Sequence, residues 1–229
     1  MAVNKIRFDG TSEEISKAWH EQRDKGVGGS DVGVIMGVNR WKTVEQLWAE
    51  KTGRVKPEDI SHKPCVILGN ALEPALRKEY AYRHTDMQVE EPLYMLQDAE
   101  KPWRQASLDG IITCRDGMKE VLEIKTVGGF NTHEWNMGGV PESYACQVLH
   151  YMAVSGYRRA QLIAMIGNIR ILERTVERDE YLIDLIESEV DEFWESVKTD
   201  KMPLKRNPTD DFIERLHNIC YDPEEIPLF

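Results

Sequence analysis

The sequence predicts an α/β fold, a central mixed sheet of about five strands flanked by helices. Three observations carry this. Residues 106–126, ASLDGIITCRDGMKEVLEIKT, place apolar and β-branched residues on both sides of Arg115-Asp116-Gly117, the pattern of a hairpin closed by a glycine at positive φ. Residues 161–167 and 169–177 are two further apolar runs joined at Gly167-Asn168, a second antiparallel pair. Residues 179–197 set Leu182, Leu185, Ile186, Val190, Phe193 and Val197 at helical spacing among acids, an amphipathic helix for a sheet to bury.

The remaining elements follow in order. A chain of 229 residues suits one core, so 1–229 reads as a single domain, with a polar arm over 1–18 and a mixed-charge, Pro-rich extension from 198 to 229. The run Gly26-Val27-Gly28-Gly29-Ser30 permits close backbone approach, and Ser30 reads as the N-cap of a short helix that ends at Gly37. Thr43 and Gln46 form a capping box for a helix stopped by Gly53; Trp41 and Trp48 read as core or wall residues. Residues 56–63 read as an exposed loop. A helix is expected to open at Asn70-Ala71-Leu72-Glu73 and run to about His84, with Pro74 tolerable only near its start. Residues 87–96 read as one strand. The glycine-rich run 128–139, with Asn131, His133 and Trp135, reads as a mobile segment near a substrate. Pro141 starts a helix that ends at Gly156, and Leu228-Phe229 is a docking end or a disordered tail.

Composition bounds the function. Hydrophobic residues at 41% and charged residues at 30% are ordinary for a globular protein. With no long apolar run and no signal-peptide core, the expectation is a cytoplasmic protein without membrane contact. Cys65, Cys114, Cys146 and Cys220 lie far apart, which speaks against a disulfide framework, a zinc finger or an iron–sulfur cluster. A net charge of −11 opposes non-specific coating of DNA, so a DNA-acting protein of this composition needs its cations gathered along one channel. Arg77-Lys78, Arg83-His84, Arg158-Arg159 and Lys205-Arg206 are candidates for such a lining.

The hairpin carries the chemistry. Its turn pairs Cys114 with Met118 and, counting back, sets Asp109 opposite Glu123 on one face. Lys125 shares that face, while Leu122 and Ile124 point to the other. Facing carboxylates repel unless a cation lies between them, and Mg²⁺, an oxygen-seeking ion held by one or two carboxylates plus phosphate oxygens, suits the place. The lysine would orient or deprotonate water and offset charge in a phosphoryl transition state. Glu123-Ile124-Lys125 is the only acid-x-Lys in the chain. Arg23 beside a helix start is a candidate anion site. Asn70-x-x-Glu73 is equally a capping pattern, and Tyr144, Gln147 and Tyr151, a single helical stripe, are equally ordinary packing. A serine hydrolase centred on Ser30 is excluded, because Gly28-Gly29-Ser30-Asp31-Val32 lacks the second glycine of a nucleophile elbow.

Asp109 with Glu123-Ile124-Lys125 resembles the PD-(D/E)xK nuclease motif. In order, Trp19-His20 with Arg23, the Gly-rich turn into Ser30, Leu68-Gly69 with Glu73, and Gln147 with Tyr151 resemble the phage lambda exonuclease and YqaJ-type viral recombinase nucleases over residues 19–195. Leu108 stands where the motif has proline. The resemblance implies the PD-(D/E)xK fold and a 5′-to-3′ exodeoxyribonuclease on linear duplex DNA, leaving a 3′ strand for a phage-type single-strand annealing protein. It implies metal ligation by Asp109, Glu123, Glu73 and the Ile124 carbonyl, a two-ion Mg²⁺ site with Mn²⁺ as substitute, and a role for Gln147 on water or phosphate. It also implies DNA contact by Tyr151, capture of the 5′-phosphate by Arg23 and Ser30, and a ring-shaped homotrimer. Relatives can carry a hydroxyl where Gly28 stands. A PD-(D/E)xK endonuclease and a non-catalytic DNA-binding or assembly protein remain alternatives.

Overall fold

The structure, a computed structural model, describes residues 2–128, 135, 139–167, 170–204 and 207–221. In chain order the elements are β1 (Val3–Arg7), α1 (Ser12–Arg23), α2 (Gly29–Ile35), α3 (Val44–Lys51), α4 (Pro64–Arg83), β2 (Gln88–Glu90), β3 (Tyr94–Asp98), β4 (Gln105–Ala106), β5 (Gly110–Thr113), β6 (Lys119–Val127), α5 (Glu142–Ser155), β7 (Arg159–Ile166), β8 (Arg170–Glu177), α6 (Glu180–Lys198), α7 (Asp210–Asn218) and β9 (Cys220–Tyr221).

Six strands form the main sheet in the order β2-β5-β6-β7-β8-β9, one more than expected, and β1-β3-β4 form a smaller one. The main sheet is mixed because β6 and β7 run parallel. Parallel neighbours need a crossover, and α5 lies within it. Both faces of the sheet are covered. Ile112, Leu122, Ile124 and Ile163 pack under Leu76 and Tyr80 of α4, while Ile111, Val121, Leu162 and Ala164 belong to a larger core with α5 and α6. Successive strand residues point to opposite faces, so this layering sends Glu123 toward α5.

Several local expectations hold. Gly117 adopts φ 80°, Cys114 N–H donates to the Met118 carbonyl at 2.9 Å, and Gly110 pairs with Leu122, which puts Asp109 opposite Glu123. Thr43 and Gln46 make their capping box. Pro141 precedes α5, and Gly156 ends it at φ 73°. Asp179 caps α6, whose Leu182, Ile186, Val190 and Phe193 are buried.

Other expectations are corrected. The described part of the arm, residues 2–18, holds β1, paired with β3, followed by most of α1 under a Thr11–Glu14 capping box. α4 begins at Pro64, six residues early, because proline at a helix start pre-sets φ and forfeits an N–H that has no partner there. Asn70-x-x-Glu73 therefore caps nothing, and Pro74 sits inside the helix. The single strand over 87–96 is two, in different sheets, interrupted at Glu91-Pro92-Leu93 where Pro92 offers no ladder N–H. The extension contains α7, which buries Phe212 and Leu216, and β9 on the edge of β8. Trp48 is buried as expected, but Trp41 is 77% exposed. Of the run 128–139, Trp135 is described and is buried; Asn131 and His133 lie outside the described residues, as do Asn168, Lys205-Arg206 and Leu228-Phe229. Among the described residues no helix is long and apolar enough to cross a membrane.

Candidate active site

Asp109 stands just before β5, past the last β5–β6 pair, so the Ile124 N–H on that edge of β6 has no β5 residue to bond. It donates instead to Asp109 Oδ2 at 2.8 Å. The N–H and C=O of one strand residue leave on the same edge, so the Ile124 carbonyl also faces the Asp109 side. Glu123 is 1% exposed. Its Oε1 accepts from Lys125 Nζ at 2.5 Å and from Gln147 Nε2 at 2.7 Å. The same amide donates to the Tyr151 hydroxyl at 3.1 Å, and its oxygen accepts from Lys125 at 3.3 Å. Lys125 also lies over the Tyr144 ring, 4.6 Å from its centre. The polar stripe of α5 thus faces the hairpin.

Glycine makes this approach possible. A Cβ on Gly29 would fall 2.4 Å from Tyr151 and 2.7 Å from Gln147, so the start of α2 can rest against the stripe only without a side chain. Ser30 is the second residue of α2 and not its cap; the cap position is Gly28, whose N–H donates to Asp31 at 3.2 Å. Arg23, the last residue of α1, donates to the Ser30 hydroxyl and lies 3.5 Å from Asp31. Asp31 is buried and also pairs with Lys51 at 3.2 Å. Burial pushes its carboxyl up, but Lys51 and Arg23 outweigh this and hold it below the usual range.

Arg23, Ser30, Glu73, Asp109, Glu123, Ile124, Lys125, Gln147 and Tyr151 all line one open cavity of about 690 Å³. Those nine are the residues expected from the sequence, drawn together from α1, α2, α4, the hairpin and α5. Among the described residues, the basic pairs expected along a DNA channel do not gather there. Arg77 is in the cavity wall but tied to Glu73 and Glu91, Arg83 pairs with Glu79 and Glu173, Arg158 with Asp116 and Glu120, and Arg159 with Glu177. In an acidic chain most basic residues find a local anion.

The electrostatics ask for a cation. Burial, then Asp109, pushes the Glu123 carboxyl up to about 8. Burial, then Asp109, pushes Glu73 up to about 7 against the pull of Arg77. Burial raises Asp109 as well. Burial pulls Lys125 down, but Glu123 and Asp109 outweigh it and keep the ammonium protonated. Most direct is Glu123 Oε2, which is buried and has no hydrogen-bond partner among the described residues. An orphaned carboxylate oxygen facing a second carboxylate suits a hard divalent ion. No three His, Cys, Asp or Glu side chains are grouped as a ready ion cage among the described residues. Glu73 is instead turned to Arg77, its Oε1 2.6 Å from the guanidinium.

Sequence reasoning missed one network behind the site. His150, three residues after Gln147, is fully buried, with Nδ1 2.6 Å from Glu187 and Nε2 3.0 Å from the Gln105 carbonyl. Both partners only accept, so both ring nitrogens donate and the ring is an imidazolium. Burial opposes that charge, but Glu187 outweighs it and raises the pKa. Arg104 meets Glu187 at 2.8 Å and Asp191 at 2.7 Å. The signal available in the sequence was Glu187, an acid on the apolar side of α6.

Comparison with known proteins finds matches in sequence and in fold. The model of the YqaJ-like viral recombinase domain matches residues 18–158. The uncharacterized protein YqaJ of Bacillus subtilis (strain 168) is 38% identical over 185 residues, covering 80% of this chain. The chain spans 56% of that relative's length. Among solved structures, the alkaline exonuclease LHK-Exo of Laribacter hongkongensis matches with a TM-score of 0.68 at 21% identity, over 80% of this chain and 93% of that one. A phage related exonuclease from Haemophilus somnus 129PT matches with a TM-score of 0.55 at 14% identity, over 76% and 96%. At these identities the two structures speak for the fold, and the fold is the PD-(D/E)xK nuclease architecture.

Proposed function

Because the chain belongs to the YqaJ-like viral recombinase domain family, we propose that it is a metal-dependent 5′-to-3′ exodeoxyribonuclease. It would degrade one strand of linear double-stranded DNA and leave a 3′ single strand. The observation that carries this reading is Glu123 Oε2, buried beside Asp109 without a hydrogen-bond partner among the described residues, in a cavity that also holds Lys125 and Gln147. The names of LHK-Exo and the phage related exonuclease agree with it.

Asp109, Glu123 and the Ile124 carbonyl would hold Mg²⁺, or Mn²⁺ in its place, with Glu73 supplying a further oxygen and a second ion completing the pair. Such ions supply Lewis acidity toward the scissile phosphate and lower the pKa of water. Lys125, kept cationic by its carboxylate neighbours, places a positive charge where the phosphoryl oxygens gain negative charge, and can deliver a proton. Gln147 is fixed at both ends of its amide and orients water or phosphate. Arg23 and Ser30, in the same cavity, bind the 5′-phosphate, and Tyr151 borders the DNA. An anionic chain holds duplex weakly, so we assign processivity to closure, a ring-shaped homotrimer that encircles its substrate and hands the 3′ strand to a phage-type annealing protein.

Gel assays on 5′-phosphorylated linear, 5′-hydroxyl linear and closed circular duplex, with and without Mg²⁺, test the reading. Loss of the linear substrates only, only with Mg²⁺, and not with Asp109→Ala, is expected. Lys125→Ala should be inactive yet still bind metal. Cutting of closed circles would instead make the protein an endonuclease, and wild-type digestion by Asp109→Ala would defeat the assignment.

A further inference from the structure

Arg77 is 8% exposed, one helical turn beyond Glu73 on α4. Its guanidinium makes three short hydrogen bonds. Nη2 donates to Glu73 Oε1 at 2.6 Å, Nη1 to Glu91 Oε2 at 2.6 Å, and Nε to the Asp109 main-chain carbonyl at 2.7 Å. Each lands on a different element: α4, the connector between β2 and β3, and the residue that precedes β5. Asp109 is held at its carboxylate by Ile124 N–H and at its carbonyl by Arg77, which leaves that residue little freedom. The other two cavity cations are committed elsewhere, Lys125 to Glu123 and Arg23 to Ser30 and Asp31.

The geometry points to Arg77 as a positioning residue, which sets the Glu73 carboxylate and the Asp109 backbone in the arrangement that receives a divalent cation, with Glu91 drawing off part of its charge. The inference rests on the metal-dependent reading above. A planar fork with five N–H donors can serve three acceptors in fixed directions; an ammonium on a flexible stem cannot. The sharing with Glu91 matters because a guanidinium given wholly to Glu73 would compete with the ion for that carboxylate. Glu91 is the outer member, its side chain 54% exposed, and can be altered without disturbing the core. Groups that orient metal ligands from behind contribute about 10- to 100-fold to metal affinity.

The test is calorimetric titration of Mn²⁺ into wild type, Arg77→Lys, Glu73→Gln, the double variant and Glu91→Gln, with thermal melts of the metal-free proteins. Arg77→Lys should weaken Mn²⁺ binding about 10-fold or more, and saturating Mn²⁺ should restore most of the cleavage rate, an outcome that loss of fold would not give. The same substitution should cost clearly less in the Glu73→Gln background, since one of its targets is gone. Unchanged affinity in Arg77→Lys, or an equal loss with and without Glu73, overturns the assignment. Glu91→Gln, which should melt like wild type, is expected to weaken Mn²⁺ several-fold. It decides the matter if Arg77→Lys does not fold, and unchanged affinity there overturns the inference. If wild type binds no Mn²⁺, the metal-dependent reading itself fails, a result distinct from a wild type that binds and cleaves beside an indifferent Arg77→Lys.

Discussion

Gly29→Ala separates positioning from stability at the candidate site. The added methyl carbon would lie 2.4 Å from Tyr151 Cε1, 2.7 Å from Tyr151 Cζ and 2.7 Å from Gln147 Cγ. Carbon atoms rest about 3.5–4.0 Å apart, so α2 and the stripe of α5 must part by on the order of 1 Å. Overpacking of this kind costs about 1–3 kcal/mol. In a chain of this size each kcal/mol lowers Tm by about 2–4 °C. The loss in rate should be larger than that suggests. Gln147 spans Glu123, Lys125 and Tyr151 through bonds of 2.7, 3.3 and 3.1 Å, and these lengthen when its Cγ moves. A misplacement of about 1 Å at a reacting centre costs about 100-fold. Gly33→Ala is the control, on the same helix pair but against Ser143, with closest approaches of 3.0 and 3.1 Å. It should melt slightly below wild type and digest linear duplex at nearly the wild-type rate. A Gly29→Ala protein that is destabilised yet fully active would refute the role given to Gln147.

Three further outcomes follow from the geometry. A 5′-hydroxyl duplex should be digested more slowly than a 5′-phosphorylated one, and Arg23→Ala should close that gap by slowing only the phosphorylated substrate; equal wild-type rates on both ends would remove the anchor role from Arg23 and Ser30. With the Glu123 carboxyl raised from 4.5 to about 8, the metal-free folded state holds a proton that the unfolded chain has lost. Metal-free stability should therefore fall as pH rises through that window, while Mg²⁺ affinity rises toward pH 8; melts and titrations across pH would check both, and Glu123→Gln should flatten the stability slope. His150 has the opposite partner logic: its folded pKa is raised, so its contribution is fully present below about pH 6.5 and is lost as pH climbs through the folded value. Removing one member of such a buried pair costs about 3–5 kcal/mol, at the lower end here because Arg104 still meets Glu187. The melting gap between wild type and His150→Gln should shrink on the alkaline side, and a gap that widens there would rule out the imidazolium.

What the sequence determined alone was what neighbours in the chain decide. A glycine able to take positive φ, two alternating runs and a three-residue loop set the hairpin register, and with it the Asp109–Glu123 pair, because register follows from turn length and side-chain period. Capping residues and helical spacing did the same for α3, α5 and α6. The cavity residues beyond the hairpin, Glu73 and Gln147 with Arg23 and Ser30, were singled out only through the resemblance to the ordered motifs of a nuclease family. Tertiary structure decided the rest. β1 is a strand because β3, some 90 positions away, pairs with it from Val3 to Asp98, and residues 87–96 split because their two halves find partners in different sheets. β-propensity is weak where the neighbour is unknown. Charged residues depended still more on long-range contacts. Arg158 as a channel cation was reasonable from spacing, and Glu187 was not singled out among the acids of α6, yet Arg158 meets Glu120, and Glu187 closes on His150 inside the core. A charge is drawn to whichever opposite charge the fold brings within a few ångströms, and a linear sequence does not record that distance.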